Sequence, residues 1–408
     1  MIRVLFILLL AATVTAQPAF QDLVDSNLEQ TITDRRWFHI NPELSNEEFN
    51  TQTYLQDTIL GIPGVELIDG DWGTGLVAIL HGQPGPLIAW RADIDGLPIT
   101  EDTGLPFSST NDGVMHACGH DIHMSVTLGA MRVLSDIRNE LPGSILWIFQ
   151  PAEEIGAGAF QMIEAGVFDD GRMPECVLAL HDHPTFNTGE VGSCSGWSTA
   201  NVDAVQITVH GKGGHGAYPH KSIDPVTVAA QIVLGLNSII ARQIDVNHHA
   251  VISVGKINGG SKSNIIPDKV VMEATIRTHD EKTRNEIQER IRTTCLGIAS
   301  AAGAPEPEFE FFNGTPGGYN NPELVAQCRE VFARVLGKEN DQTYLPGMGG
   351  EDFSHFGQVI PGFQFRLGVA PEGKDTTLHS PNFYADEKSV GIGMRVVSEL
   401  LFDQLSRR

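Results

Sequence analysis

An alternation of strands and helices, interrupted once by a segment of different pattern, most constrains the fold of this chain. Continuous apolar runs predict buried strands, and apolar residues at spacings of three and four predict helices. Because buried strands that alternate with helices form parallel sheets, the pattern predicts an α/β domain with a mostly parallel central sheet. The predicted strands are 75–81, 87–92, 144–150 and 176–181, and the predicted helices are 20–60, 125–138 and 157–165.

Residues 200–311 break this alternation. Segment 202–210 alternates apolar and polar residues, which predicts a strand in a sheet with one exposed face. We therefore expect an α+β lid or dimerisation domain at 200–311, inserted into a discontinuous, metal-binding catalytic domain formed by 17–199 and 312–408. The other elements predicted in the insert are helices at 225–243 and 281–302 and strands at 250–258 and 269–278.

The first residues have the composition of a cleavable signal peptide. Arg3 precedes an apolar run over 4–12, and Val14 and Ala16 occupy the recognition positions of a signal-peptidase site. The run is too short for a stable membrane span, although an uncleaved anchor is the alternative. We expect cleavage after Ala16 and a secreted or periplasmic chain, with no further stretch long and apolar enough to cross a membrane.

The formal net charge of −24 argues against two classes of partner. Nucleic acids and anionic lipid surfaces both require a basic patch, so we expect no nucleic-acid partner and no electrostatic attachment to a membrane. An acidic surface also does not attract an anionic substrate. A substrate that carries a carboxylate therefore requires a local positive site.

The densest group of metal-binding residue types is HACGHDIH at 116–123. Thiolate, imidazole and carboxylate are ligands of zinc and of related metals. Cys118 and His120 are two residues apart, so both can reach one ion; the alternative is a polar loop with fortuitous histidines. The five cysteines are too few for a disulfide framework, and their odd number leaves at least one thiol unpaired.

A second cluster, QPAEEIGAG at 150–158, follows a predicted buried strand. The carboxyl ends of parallel strands are where such folds place their sites. Of the adjacent Glu153 and Glu154, one can ligate a metal while the other takes a proton from the attacking water and passes it to a leaving amine. The alternative is an acidic pair that only stabilises a helix N-terminus through the helix dipole.

Further candidates also lie at predicted strand ends. Asp95 is suited to orienting a ligand or the acid/base, and the alternative is a turn closed by side-chain hydrogen bonds. His181 and His183 compete as ligands after the strand 176–181, and we favour His181 because it lies directly at the strand end. His379 lies near the end of the chain. Because the ends of parallel strands meet, we expect these groups at one site.

Taken in order, these segments resemble the M20 metallopeptidase and amidohydrolase family. Within it, they resemble the branch of hippurate hydrolases, auxin-conjugate hydrolases and N-acyl-amino-acid amidohydrolases. Each segment is modest alone, but the set is specific and covers nearly the whole chain after residue 16. The segments are WRADIDGLP at 90–98, HACGHDIH at 116–123, QPAEEIGAG at 150–158, GKGGHGAYPH at 211–220, SNIIPD at 263–268, GEDF at 350–353 and LHSPNF at 378–383.

The resemblance implies a role for each candidate residue. The ligands of two divalent ions, zinc or manganese, would be Cys118, His120, Glu154, His181 and His379. Glu153 would be the general acid/base, with Asp95 supporting it. From the lid, His215 would hydrogen-bond the scissile carbonyl oxygen, while Asn264 and Arg277 would hold the substrate carboxylate. In related enzymes the histidine at the position of His215 comes from the partner subunit, which implies a homodimer.

The expected activity is metal-dependent hydrolysis of the amide bond of small N-acyl amino acids, such as hippurate or N-acetyl amino acids. A carboxypeptidase or dipeptidase acting on short peptides is the alternative within enzymes. A secreted binding protein that captures metal or N-acyl amino acids is the alternative outside them. The Glu153–Glu154 pair favours an enzyme, because a binding protein has no need of a spare base.

Overall fold

The computed structural model describes residues 19–373 and 376–408, and the predicted signal peptide at 1–16 lies outside them. Within the described residues the chain forms nine α-helices and sixteen β-strands. The helices are α1 (Phe20–Ile40), α2 (Phe49–Leu60), α3 (His120–Asp136), α4 (Gly158–Glu164), α5 (Pro225–Arg242), α6 (Glu281–Ala301), α7 (Pro322–Leu336), α8 (Ser354–Val359) and α9 (Lys388–Ser406). The strands are β1 (Val65–Leu67), β2 (Leu76–Leu80), β3 (Leu87–Asp93), β4 (Ser144–Gln150), β5 (Val177–Asn187), β6 (Val191–Ser193), β7 (Gly196–Trp197), β8 (Asn201–His210), β9 (Gly214–His215), β10 (Ala250–Gly259), β11 (Ile265–Ile266), β12 (Lys269–Thr278), β13 (Glu308–Asn313), β14 (Tyr319–Asn320), β15 (Asp341–Thr343) and β16 (Gly362–Ala370).

Eight strands form the larger sheet, in the order β1-β2-β4-β3-β5-β16-β6-β15. Its four central strands, β4, β3, β5 and β16, are parallel to one another. Strand β4 is buried along its length apart from its first residue, as expected of a strand that helices cover on both faces. The predicted α/β fold with a mostly parallel central sheet is confirmed.

Two apolar cores cover the faces of this sheet. On one face, helices α1, α3, α7 and α9 pack over Trp90 and Trp147. On the other, Met162 of α4 and Phe356 of α8 pack over Leu146. The sheet is therefore fixed from both sides, and its carboxyl edge is a rigid base for side chains.

Three elements of the larger domain have bounds that differ from the prediction. The helix expected over 20–60 is two helices, because Pro42 keeps the preceding Asn41 out of the helical region, at φ −120° and ψ 49°. Helix α3 begins at His120, earlier than expected, so the histidine-rich segment enters its first turn. Strand β5 continues to Asn187 because it pairs with β16 as far as Ala370, a contact that local sequence does not reveal.

The interrupting segment forms a separate antiparallel sheet, in the order β10-β12-β8-β13. Alternate residues of β8 are buried, as its pattern predicts, and β12 has the predicted bounds. Helices α5 and α6 pack on one face of this sheet and contribute Ile232 and Ile291 to its core. Strand β13 pairs with β8 up to Asn313, so the small sheet extends past the expected end at 311.

Helix α5 is the one helix in the described residues that is long and apolar enough to cross a membrane by length and composition, with a mean hydropathy of 1.3. The expectation that no stretch beyond the leader meets this criterion was therefore wrong. Its buried side chains, among them Val228, Ile232 and Leu236, form the core beneath the small sheet. This packing accounts for the buried apolar residues of the helix, whereas Val226 and Leu234 are exposed.

The two segments that join the sheets run side by side. The Val202 N–H donates to the Thr315 carbonyl at 2.9 Å, and the Gly314 N–H donates to the Val202 carbonyl at 3.0 Å. Asp203 accepts a further bond from the Gly314 N–H at 3.2 Å and pairs with Arg284 of α6 at 2.5 Å. The chain therefore enters and leaves the small sheet at the same place.

Candidate active site and metal centre

Parts of the chain that are far apart in sequence meet at the carboxyl edge of the larger sheet. Strand β3 leads to Asp95, β4 leads to Glu153 and Glu154, and β5 carries His181. Helix α3 begins at His120 beside them. Because β3, β4 and β5 are parallel, their carboxyl ends deliver these side chains to one edge.

The five predicted metal ligands are connected by a chain of short distances. The Cys118 Sγ lies 3.5 Å from the His181 Nε2 and 3.3 Å from the His379 Nε2. The Glu154 carboxylate lies 3.6 Å from the His379 Nε2 and 3.9 Å from the His120 Nε2. Cys118 falls in two sets of three donors whose atoms all lie within 4.8 Å of one another, one with His120 and His181 and one with Glu154 and His379.

The hydrogen bonds of the two buried histidines, His120 and His181, leave their Nε2 atoms free to bind a metal. The His120 Nδ1 lies 2.8 Å from the Asp95 carbonyl, and the His181 Nδ1 lies 2.8 Å from the Asp182 carbonyl. A carbonyl oxygen only accepts, so each Nδ1 carries the proton and each Nε2 presents a lone pair. This is the arrangement of ligating histidines.

Two buried atoms in the cluster also need a partner. Among the described residues, neither the His120 Nε2 nor the Glu154 Oε1 has a hydrogen-bond partner. Leaving such atoms unsatisfied costs about 1–3 kcal/mol each, and more if charged. A divalent cation satisfies both at once, so the residues present fit a metal centre.

His183, the competing ligand candidate, lines the same cavity but is engaged by other side chains. Its ring stacks on Phe186, with centroids 4.1 Å apart, and its Nδ1 lies 3.2 Å from the Thr185 hydroxyl. Burial, followed by the charge of Arg366, lowers the pKa of His183 to about 4. The geometry therefore favours His181 as the ligand.

Asp95 holds the turn that carries both glutamates. Its carboxylate accepts the N–H groups of Glu153 and Glu154, each at 3.1 Å, and the Ser45 hydroxyl at 2.6 Å. Because its own carbonyl holds His120, Asp95 orients a ligand and the candidate acid/base together. The supporting role of Asp95 stays a prediction, for which this geometry is suited.

Glu153 lies beside the ligands with 10% of its side chain exposed, 3.9 Å from the His120 Nε2. Burial, and then the carboxylates of Glu351 and Asp352, raise its pKa well above the usual range. Bound cations would lower this pKa. A glutamate under these opposing influences is suited to exchanging a proton near neutral pH.

A buried arginine network below the site had no role in the sequence analysis. The Arg91 guanidinium contacts Asp93 at 2.6 Å, Asp352 at 3.0 Å and Glu351 at 3.1 Å, and its Nε donates to Gln150 at 2.7 Å. Although burial opposes it, Arg91 lowers the pKa of Glu351 to about 2. The available signal was an arginine within the predicted strand 87–92, whose other residues are apolar.

A second histidine–carboxylate group was also missed. The His123 Nδ1 lies 2.5 Å from Asp93, and its Nε2 accepts the Asp182 N–H at 2.9 Å. Both ring nitrogens are thereby occupied within the fold.

The neighbouring Gly119 has φ 80°, and a Cβ built on it would lie 2.2 Å from the Asp182 Oδ2. Only glycine fits between the two candidate ligands Cys118 and His120.

Of the three lid residues predicted to contact substrate, one lines the cavity of the metal ligands and two do not. Arg277 lines the cavity that contains the metal ligands. His215 and Asn264 are exposed and are not among the residues that line this cavity. They lie close to each other, because β9 pairs with β11 and the Gly216 N–H donates to the Asn264 carbonyl at 2.9 Å. A single chain in this arrangement does not bring them to the candidate metal centre.

The cavity has a volume of about 780 Å³, within the range of small-molecule sites. Two arginines, Arg277 and Arg366, line it together with the candidate ligands and Glu153. Tyr344 and Leu345 form part of the remaining wall. The cavity thus combines the carboxylates of the metal cluster with two cations.

Comparison with known proteins places this geometry in context. The model of peptidase family M20/M25/M40 matches residues 89–403. An N-acetylcysteine deacetylase of Bacillus subtilis (strain 168) is 38% identical over 374 residues, covering 90% of this chain and 94% of the relative. An N-acetyldiaminopimelate deacetylase of Brevibacillus brevis is 37% identical over 366 residues, covering 89% and 95%.

Two further proteins are similar over nearly their whole length. Thermostable carboxypeptidase 1 of Saccharolobus solfataricus is 38% identical over 366 residues, covering 88% of this chain and 91% of the relative. A Bacillus subtilis protein whose crystal structure is described as a dinuclear metal binding peptidase superposes with a TM-score of 0.82 at 35% identity, covering 94% of this chain and 99% of that one.

Proposed function

This chain belongs to peptidase family M20/M25/M40 and is a metal-dependent amidohydrolase or peptidase, and from that premise we propose that it hydrolyses the amide bond of N-acyl amino acids at a two-metal site. The observation that carries the proposal is the contact cluster of Cys118 with two histidines, beside the unpartnered oxygen of Glu154 and next to Glu153. The relatives named as deacetylases of N-acetyl amino acids support this substrate class.

We propose that the five clustered residues hold the ions, zinc or manganese. Cys118 belongs to both sets of three donors, so it would hold the ions together with the other four residues. Bound ions would lower the pKa of water and polarise the scissile carbonyl. Glu153 takes the proton of the attacking water and then delivers it to the leaving nitrogen. Asp95 keeps Glu153 in position through the backbone N–H bond.

Substrate orientation depends on the small sheet. Arg277 lines the cavity and is suited to the substrate α-carboxylate. We propose that His215 and Asn264 complete the site from a second subunit of a homodimer, where His215 donates to the developing oxyanion. The separation of these two residues from the cavity of their own chain supports this arrangement.

The test is an assay of the purified chain, loaded with Zn²⁺ or Mn²⁺, on hippurate, several N-acetyl amino acids and several dipeptides. We expect release of free amine from the acylated substrates, and loss of that release with a chelator. Cleavage of dipeptides alone would instead establish a peptidase, the alternative favoured by the similarity to a carboxypeptidase. If metal-loaded, folded protein cleaved none of them, the proposal would fail.

The variant Glu153→Gln tests the role of the acid/base. Loss of the proton shuttle is expected to lower kcat by about 10²–10⁴-fold, while the metal content stays that of the wild type because the five ligands are intact. Metal analysis of the same preparation is the control. A variant with near wild-type turnover would remove Glu153 from this role.

A further inference from the structure

The cavity holds an arginine, Arg366, that pairs with no carboxylate in the described part of the chain. Arg366 lies on strand β16, where its register partner on β5 is His181, so the two side chains share one face of the sheet. Among the described residues no carboxylate lies within 4.0 Å of its guanidinium, in contrast to Arg91 in the network below. Arginine stays charged in proteins, so this is a permanent positive charge on the cavity wall.

The acidic groups nearest to Arg366 are bound to other partners. Glu351 contacts Arg91 at 3.1 Å, and its other oxygen accepts from Gln364 at 2.8 Å. Asp182 lies 3.1 Å from the His181 Nδ1 and 3.3 Å from the His123 Nε2. The Arg366 guanidinium therefore remains available to an anion that enters the cavity.

A second donor stands beside it. The Tyr344 ring centroid lies 5.8 Å from the Arg366 guanidinium carbon. Tyr344 lines the same cavity, and its buried hydroxyl lies close enough to Arg366 for the two to interact, although within the described parts of the chain it makes no hydrogen bond of normal geometry. A buried hydroxyl without a partner is costly, and a carboxylate held by both side chains would satisfy it.

Resting on the proposed amidase function, we propose that Arg366 is a specificity-determining residue that, with Tyr344, binds a second carboxylate of the substrate. The α-carboxylate is assigned to Arg277, so the two arginines require two anionic groups on one small molecule. The preferred substrates are therefore dianionic N-acyl amino acids. The second carboxylate comes either from the amino-acid side chain or from a dicarboxylic acyl group.

The experiment uses two pairs of substrates that match in shape and differ by one charge. N-acetyl-glutamate is compared with N-acetyl-glutamine, and N-succinyl-alanine with its succinamoyl analogue, on the metal-loaded full chain. For the pair that places its charge at Arg366, we expect kcat/KM to favour the acid by about 10–100-fold, the usual value of one charge-assisted hydrogen bond. The pair that shows the preference identifies the source of the second carboxylate.

Variants test whether Arg366 causes the preference for the acid over the amide. Arg366→Gln is expected to reduce the ratio of acid to amide to about unity, mainly through KM, whereas Arg366→Lys retains part of it. Tyr344→Phe should reduce the ratio by less than Arg366→Gln. Arg395→Gln, a change on α9 outside the cavity, is the control and should leave the ratio unchanged.

Two results would overturn the inference while leaving the amidase function intact. One is a wild type that cleaves acid and amide equally well in both pairs. The other is an Arg366→Gln variant that loses the same factor on acid and amide, which indicates a structural role. If no member of either pair were cleaved, and the wider panel of acyl substrates also failed, the proposed function itself would fall.

Discussion

Replacement of Gly119 by alanine tests whether this position must be empty for the metal cluster to form. Gly119 connects Cys118 to His120 at φ 80°, and the added Cβ would lie 2.2–2.7 Å from the three outer atoms of the Asp182 carboxyl group. That carboxyl group is not free to move, because it contacts His181 at 3.1 Å and His123 at 3.3 Å. The strain must therefore be taken up by residues at the site.

The expected cost has two parts. Alanine in the left-handed region costs about 1 kcal/mol after allowing for the more restricted unfolded chain. Forcing a methyl group into a packed site adds about 1–3 kcal/mol. Gly113→Ala separates the two parts, because Gly113 has φ 77° and no atom within 4 Å of the position of its Cβ. We expect a destabilisation of about 2–4 kcal/mol for Gly119→Ala and about 1 kcal/mol for the control.

Urea unfolding followed by tryptophan fluorescence measures this difference. The tryptophans, at 37, 72, 90, 147 and 197, all lie outside the small sheet, so the signal reports the part that contains the site. Metal affinity, measured by competition with a chelator, should fall for Gly119→Ala and not for Gly113→Ala. Equal unfolding midpoints and equal metal affinities for the two variants would refute the argument.

Two further predictions concern pH and assembly. Burial alone would lower the pKa of the buried His39, but Asp121 and Glu101 raise it above its usual value of about 6.5. The stabilisation by His39 is thus fully present below pH about 6.5 and lost as pH rises through the raised pKa. In His39→Gln this alkaline loss of stability should disappear from the pH profile of unfolding. A variant with the same pH profile as the wild type would contradict the assignment. If His215 serves the site of a partner subunit, mixing the inactive variants His215→Ala and Glu153→Gln should restore part of the activity through mixed dimers, whereas no recovery after confirmed subunit exchange would exclude that arrangement.

The local sequence pattern predicted the bounds of a strand or helix correctly where the same pattern of burial continues along the whole element. Strand β12 and helix α5 were predicted to within one residue, because one alternates between core and solvent and the other repeats with helical spacing. Where long-range contacts decide the conformation, prediction was weaker. Strand β5 extends beyond His181 only because β16 pairs with it, and that strand is nearly two hundred residues further along the chain.

The same distinction applies to the site. The metal-ligand candidates carry recognisable chemistry in short motifs, so they could be proposed before their contacts were seen. Arg91 and Arg366 could not be given roles, because each lies in a strand whose residues are mostly apolar. Their difference is set by partners: Arg91 contacts Asp352, 261 positions away, while Arg366 has no comparable contact within the described residues. Sequence spacing contains neither fact.

The two hydrogen-bonded segments that join the sheets also determine how the gene could be rearranged. Because Val202 and Thr315 are hydrogen-bonded neighbours, the whole small sheet could be excised and its ends joined by a short turn without stretching the rest of the chain. The remaining polypeptide would keep every candidate metal ligand, Glu153 and Arg366, but not Arg277, His215 or Asn264. A shortened chain of this kind would separate ion capture from recognition of the amide, and it could accept an unrelated module at the same junction.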